Sequence, residues 1–253
     1  MIGTLFNEAL YRPLLNVLVF LYQLTGDLGV SIIILTVLIK VLLFPLTKKQ
    51  FDSQAKIKKL QPKIKELKEK YGNNKEKMSQ EMMALYKKEK INPASGCLPL
   101  LVQLPVLIAL YQVFMPGKAL IIDGDKLLVV KEMLYSFPYL QAVGEINHFF
   151  LGLVDLTQKS VLIALISSAL QAVQSKISLG GMKKKKKKED SDKQPEFQEI
   201  MGTQMVYLMP VVTFIFGISF PAGLPLYWAT STIITIAQQK LIERNVSSKK
   251  DRV

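Results

Sequence analysis

Apolar residues run in long blocks along this chain, and charged residues collect between the blocks. Five blocks, 28–46, 96–115, 160–178, 204–220 and 222–242, approach the length a membrane demands. A spanning helix needs roughly 20 apolar residues, because the hydrocarbon core is about 30 Å thick and each residue rises about 1.5 Å. The pattern therefore predicts an all-α, polytopic membrane protein with five transmembrane helices. A shorter apolar stretch, 9–24, carries Arg12-Pro13 near its start. It reads as an amphipathic helix lying in the interface, within an outer segment 1–27; a sixth span is the alternative.

The connecting segments have patterns of their own. In segment 47–95, Ile57, Leu60, Ile64, Leu67 and Tyr71 repeat at spacings of three and four, the period of an amphipathic helix. Gly72-Asn73-Asn74 is a turn, and a second helix places Met78, Met82 and Leu85 on one face. The two predict a helical hairpin with a narrow apolar seam, in which Pro62 marks a kink or the true helix start. A solvated spacer and a docking or client-capture arm both fit it. Asn92-Pro93-Ala94-Ser95-Gly96 breaks the chain before the second span. In the outer loop 116–159, Asp123-Gly124-Asp125 is a turn and 127–150 reads as lying along the outer interface. Lys183 to Gln194 is charged and of low complexity, predicting a disordered stretch in the loop 179–203. Phe220-Pro221-Ala222-Gly223 leaves room only for a tight hairpin between the last two spans.

Charge gives the orientation. The formal net charge is +13, unevenly spread. Segment 47–95 holds fourteen lysines against six acids, 176–203 holds eight lysines including the run Lys183 to Lys188, and 240–253 adds five basic residues. The loop 116–159 has four basic residues against five acids, and 1–27 has only Arg12. Lys/Arg-rich loops stay cytoplasmic, so the N-terminus is expected outside and the basic tail 243–253 inside, the parity that five spans require. No nucleic-acid fold signature accompanies the lysines and no stacking aromatics are interleaved with them, which argues against DNA binding. They fit membrane orientation and anionic headgroups; contact of Lys183 to Lys188 and the tail with ribosomal RNA is a further possibility.

The single cysteine, Cys97, excludes an intrachain disulfide and reads as a small buried residue. The one histidine, His148, beside Phe149-Phe150, reads as an interfacial loop residue. No metal site and no cofactor is expected. The first residues show neither a basic n-region nor an A-x-A-like site, so no signal peptide is expected.

The informative residues are polar ones inside the apolar blocks. Lys40 sits in the first span, where a mid-helix lysine costs roughly 2.5–3.5 kcal/mol on insertion scales. None of the five spans contains Asp or Glu, so no intramembrane counter-ion comes from the chain itself. Lys40 either snorkels to the cytoplasmic interface or faces a water-filled cavity open to the cytoplasm. Thr36 lies one turn away. In the third span Ser167, Gln171, Gln174 and Ser178 share one face, and in the fifth Trp228, Ser231, Thr235 and Gln238-Gln239 repeat the pattern. Such stripes serve as helix–helix glue, or, together with an unpaired lysine, as walls of a hydrated groove. A polar recess shortens the hydrocarbon path for a client, and a cation there draws in acidic client residues. There is no Gly-x-x-x-x-Gly-Lys-Ser/Thr loop to couple nucleotide hydrolysis.

Five stretches carry a family resemblance: Gly29 to Lys49, ending Phe44-Pro45-Leu46-Thr47-Lys48-Lys49; Leu60-Gln61-Pro62-Lys63 with its hairpin; Tyr86 through Asn92-Pro93 to Gly96-Cys97-Leu98-Pro99 and Gln103-Leu104-Pro105; Phe150 to Leu156; and Phe220 to Trp228. In this order, and over nearly the whole chain, they resemble the YidC/Oxa1/Alb3 membrane-protein insertases. The resemblance implies a five-helix core with a hydrophilic groove open to cytoplasm and lipid, a functional cytoplasmic hairpin, and membrane-protein clients inserted alone or with the Sec translocon and ribosomes. It implies a groove cation in the first core span, normally arginine in bacterial members. Lys40 stands there, keeping the charge but losing the bidentate fork. Gln174 and Trp228 match groove positions by local motif, and Gln103 is counted with them. The short length resembles the short bacterial form, implying the bacterial cytoplasmic membrane. Two rivals remain from the residues alone. A channel or transporter shares intramembrane polar residues, but no inverted repeat is visible. An intramembrane enzyme would need a serine with Lys40 as base, since the spans hold no histidine or carboxylate; the chain is expected not to be an enzyme.

Overall fold

A computed structural model describes residues 2–71, 74–89, 98–114, 120–123, 126–179 and 197–250. The chain divides into two compact units, Met1–Val41 with Pro105–Gln238, and Leu42–Leu104 with Gln239–Val253. Outside the described residues lie Gly72-Asn73, Asn92 to Gly96, Cys97, Gly124-Asp125 and Lys183 to Gln194, with the expectations attached to them.

The first unit opens with α1 (Ile2–Phe6), a π-helical turn (Asn7–Tyr11) and α2 (Arg12–Thr25). Pro13 falls at the start of α2, where a missing N–H is harmless, and Gly26 ends it at φ +70°, donating its N–H to Tyr22 O at 2.7 Å. Leu15, Leu18, Val19 and Leu21 bury one side of α2, while Val17, Phe20 and Leu24 leave a second apolar face exposed.

α2 also anchors the following loop through its polar side chains. Asn16 is buried yet satisfied: Nδ2 donates to Arg12 O at 2.7 Å and Met133 O at 3.2 Å, and Oδ1 accepts from Tyr135 N at 2.7 Å. The Arg12 guanidinium lies 5.1 Å from the Tyr135 ring centroid, and Tyr22 Oη accepts from Asn147 N at 2.6 Å. A segment with little regular structure cannot pair its own amides and carbonyls, and these side chains meet that need.

α3 (Leu28–Leu42) buries Leu28, Ile32 and Leu35 and exposes Val37, Leu38 and Val41. The helix stops at Leu42, short of the 46 expected. Phe44-Pro45 explains the break: Pro45 has no N–H to donate to Val41 O in the preceding turn, but it fits the opening of a new helix, which starts at Phe44.

α6 (Leu98–Phe114), α8 (Val161–Leu179), α9 (Phe197–Ser219) and α10 (Gly223–Lys250) carry the other apolar blocks. α9 and α10 extend beyond the apolar windows because helix propensity continues into their polar flanks. α8 and α9 approach so closely that a Cβ on Gly217 would lie 2.8 Å from Ala164 Cβ. The turn from α9 to α10 is held by the loop before α8: Ala222 N donates to Gln158 O at 2.8 Å and Gly223 N to Leu156 O at 3.1 Å. Gly223 has no room for a side chain beside the Phe114 ring, nor Gly29 beside Phe150.

The described residues are mostly helical, as an all-α fold requires, with two small hairpins added. β1 (Leu120–Asp123) pairs antiparallel with β2 (Lys126–Val129), and β3 (Phe149–Phe150) with β4 (Val154–Asp155); the short helix α7 (Pro138–Gln141) lies between these ladders. Runs of two to four residues carry too little periodicity to distinguish strand from loop.

In the second unit, α4 (Phe44–Tyr71) runs through Pro62 without stopping. Pro62 is exposed, where water can satisfy the carbonyl that a proline leaves free. Leu60 and Ile64 meet Tyr86 of α5 (Lys75–Lys88), with Ile57, Met82 and Leu85 around them. Asn74 Oδ1 caps α5 by accepting from Lys77 N at 3.0 Å. Lys63 Nζ reaches Glu89 Oε1 at 2.7 Å, and this hydrogen bond, reinforced by the lysine's charge, holds the Glu89 carboxyl below its usual range.

Among the described residues, Val161–Ser178 is the one helix long and apolar enough to cross a membrane by itself; Leu28–Leu42 with Phe44–Ile57 meets that measure only as a broken pair. Gln103–Phe114 and Tyr207–Ser219 are shorter apolar helices.

Candidate functional site

Lys40 lies in the last turn of α3, one turn after Thr36, and is half-buried. Its Nζ donates to Thr235 Oγ1 at 3.2 Å. Thr235 in turn donates its own proton to Ser231 O at 2.7 Å, so the hydroxyl presents an acceptor lone pair to the ammonium. Among the described residues no carboxylate forms an ion pair with Lys40; the pairs present are Arg12–Glu8, Lys63–Glu89, Lys65–Glu69 and His148–Asp155. A cation held by one neutral hydroxyl in an apolar helix remains uncompensated, and a buried charge without a partner is costly.

The backbone beneath the lysine is fixed as well. Because α3 ends at Leu42, the Lys40 carbonyl lies in the turn that lacks helical donors. Gln238 supplies one, its Nε2 donating to Lys40 O at 3.0 Å, while its buried Oε1 has no partner among the described residues. Gln238 belongs to the polar stripe that the sequence offers as a groove wall. Its signal was its position three residues after Thr235, on the same face of α10.

The other expected groove residues divide by surroundings. Thr36 is fully buried and donates to Ile32 O at 2.6 Å, within its own helix. Ser231 is buried. Ser167 is fully buried too; its Oγ lies 2.8 Å from Ile163 O and 2.7 Å from Pro225 O, joining α8 to α10. Gln171, Gln174 and Trp228 are half-buried. Gln103 is half-buried on the part of α6 that belongs to the second unit. The structure thus brings Lys40, Thr235, Ser231 and Gln238 together across α3 and α10, and uses Ser167 as a helix-to-helix contact.

His148 is no isolated loop residue: Nε2 lies 3.8 Å from Asp155 Oδ2, and the ring centroid 4.7 Å from that of Phe149. Among the described residues no group of three or more His, Cys, Asp or Glu is placed to hold a metal ion.

Comparison with known proteins agrees with the motifs. The chain is 37% identical over 242 residues to a protein of Actinobacillus pleuropneumoniae serotype 3 named membrane protein insertase YidC, an alignment covering 94% of this chain and 37% of that protein. Proteins of the same name from Haemophilus influenzae (37% over 240 residues) and Haemophilus ducreyi (35% over 238 residues) are covered over 37% and 38% of their lengths, again by 94% of this chain. The chain thus spans well under half the length of these relatives. The model of the 60Kd inner membrane protein family matches residues 20–250. On the extent of that match and of these alignments, the chain belongs to the 60Kd inner membrane protein family, the YidC/Oxa1/Alb3 family that its motifs resemble.

Proposed function

We propose that this chain is a membrane protein insertase and chaperone of the bacterial inner membrane, the activity its relatives are named for. Client transmembrane segments enter the bilayer through a hydrophilic groove open to the cytoplasm, with Lys40 as its cation. Five spans, 28–46, 96–115, 160–178, 204–220 and 222–242, cross the bilayer with the N-terminus outside and the basic tail in the cytoplasm. The hairpin 47–95 receives clients on the cytoplasmic side. The protein acts alone or with the Sec translocon, and ribosomes dock through Lys183 to Lys188 and the tail.

The observation that carries this reading is the Lys40 ammonium, paired with a threonine hydroxyl and with no carboxylate among the described residues. A charge left uncompensated by its own protein can be compensated transiently by an acidic residue of a passing client. The half-buried Gln171, Gln174 and Trp228 offer that client further polar contact.

The test is insertion of a single-spanning client with an acidic outer tail into liposomes containing the chain. Wild type and Lys40→Arg should insert it, and Lys40→Leu should lose most of that insertion. Equal insertion by all three would keep the insertase and remove the charged groove. No insertion above empty liposomes by folded protein would overturn the insertase reading.

A further inference from the structure

The β3–β4 turn contains Leu151 at φ +51°, the one non-glycine residue with positive φ among the described residues, followed by Gly152 at φ +70°. Left-handed backbone suits glycine or asparagine, and a leucine held there is strained. Here it is held firmly. Asp27 Oδ2 accepts from Leu151 N at 2.7 Å, while Oδ1 of the same carboxylate caps the start of α3 by accepting from Val30 N at 2.9 Å. Behind the turn, Phe150 packs on Gly29.

What this geometry presents is wholly apolar. Leu151 is 62% and Leu153 83% exposed, and no residue from Phe149 to Val154 is charged. In water, the strained backbone and the two exposed leucines would be separate costs with nothing gained. In lipid, the same strain aims two side chains into a medium that favours them.

The position within the first unit supplies the medium. Asp27 ties the turn to the first residue pairs of α3, and the loop just after it binds the start of α10 through Leu156 O and Gln158 O. α8 begins at Val161 and already exposes Val161 and Leu162 in its first turn. The turn therefore lies at the end of the bundle where α3, α8 and α10 begin, the end from which a helix long enough to span starts.

We infer that Leu151-Gly152-Leu153 is a lipid-inserting wedge, held rigid by Asp27, that enters the acyl region of the leaflet at this end of the bundle. The inference rests on the proposed membrane placement of the helices, and goes beyond it by assigning lipid contact to a loop rather than a span. A fixed wedge beside the first turns of three helices would anchor this end of the bundle at one depth and perturb lipid packing there.

The test uses the full chain in phosphatidylcholine–phosphatidylglycerol liposomes. Cys97→Ser removes the native thiol, and an environment-sensitive NBD label is placed at Leu153→Cys or, in a second variant, Leu151→Cys. Leu162→Cys on α8 is the lipid reference and Glu132→Cys, exposed in the preceding loop, the aqueous one. The wedge predicts blue-shifted emission at both turn positions, quenched several-fold more by lipid carrying a mid-chain doxyl group than by aqueous iodide, as at Leu162. Asp27→Ala should weaken the doxyl quenching at Leu153. Iodide quenching at both turn positions, with Leu162 still in lipid, would overturn the wedge and leave the membrane placement standing. Protection from both quenchers would mean that protein covers the turn, which also overturns it. Iodide quenching at Leu162 would overturn the placement and the wedge together.

Discussion

A hydroxyl on an apolar helix can face water, a client or a neighbouring backbone, and Ser167 faces backbone. Its burial and its contact with Pro225 O make it a bond between α8 and α10. Ser167→Ala removes that contact without leaving a charge, so the expected loss is about 0.6 kcal/mol, the mean for such interhelical bonds in a bilayer. An SDS titration of folded protein in mixed micelles should show this small shift, with client insertion unchanged; a loss of insertion at unchanged stability would return Ser167 to the groove. The sequence made part of this site legible. The five apolar blocks hold no Asp or Glu, and among the described residues no carboxylate pairs with Lys40. Helical spacing placed Thr235 and Ser231 on one face, and the structure brings that face to Lys40. Spacing says which residues share a face but not what the face meets, so Ser167 and Gln171 looked alike in the sequence and differ in burial. Asp27, outside every apolar block, gave no sign of reaching Leu151, because a bond between residues 124 positions apart has no local signature.

At the scale of elements, periodic segments were readable and short ones were not. The helices of the hairpin follow from the three-and-four spacing of Ile57, Leu60 and Ile64; their seam gathers these with Met82 and Leu85, leaves Leu67, Tyr71 and Met78 outside the cluster, and adds Tyr86. Pro62 was a plausible boundary that α4 runs through, since an exposed helix loses less to a proline than a buried one. The strands were missed because pairing between Leu120–Asp123 and Lys126–Val129 is a property of two segments, not of either alone. The narrow seam has a measurable consequence. Ile64 is almost wholly buried within a cluster of three buried side chains. Truncation of such a residue typically costs about 2–5 kcal/mol, an amount comparable with all that so small a cluster can supply. Ile64→Ala should therefore open the hairpin locally: amide exchange over Lys75–Lys88 should accelerate by at least tenfold while exchange in α8 stays as in wild type. Equal exchange in the hairpin would show that contacts outside the seam hold α5 in place.

For the whole molecule, the quantity that governs the proposed orientation is the distribution of charge among the segments between the apolar blocks. Each Lys or Arg near an anionic surface is worth about 1 kcal/mol, so the run Lys183 to Lys188 could seem decisive for orientation. The distribution argues otherwise. Segment 47–95 alone has fourteen lysines, and the loop 116–159 opposes it with four basic residues balanced by five acids. In the proposed topology the bias from the hairpin segment follows the first span, where it would act before the later loops are made. Replacing all six lysines, Lys183→Gln through Lys188→Gln, should therefore leave the proposed orientation intact. Thiol labelling from outside should reach a cysteine at Ala142 and not one at Ser191, as in the parent chain. The same replacement should weaken salt-sensitive co-sedimentation of ribosomes with the proteoliposomes, since a lysine run binding phosphates loses affinity with every charge removed. A reversed labelling pattern would make the 179–203 loop, rather than the hairpin, the determinant of orientation. Unchanged orientation with unchanged ribosome binding would assign the ribosome contact elsewhere, and the basic tail 243–253 would then be the segment to neutralise.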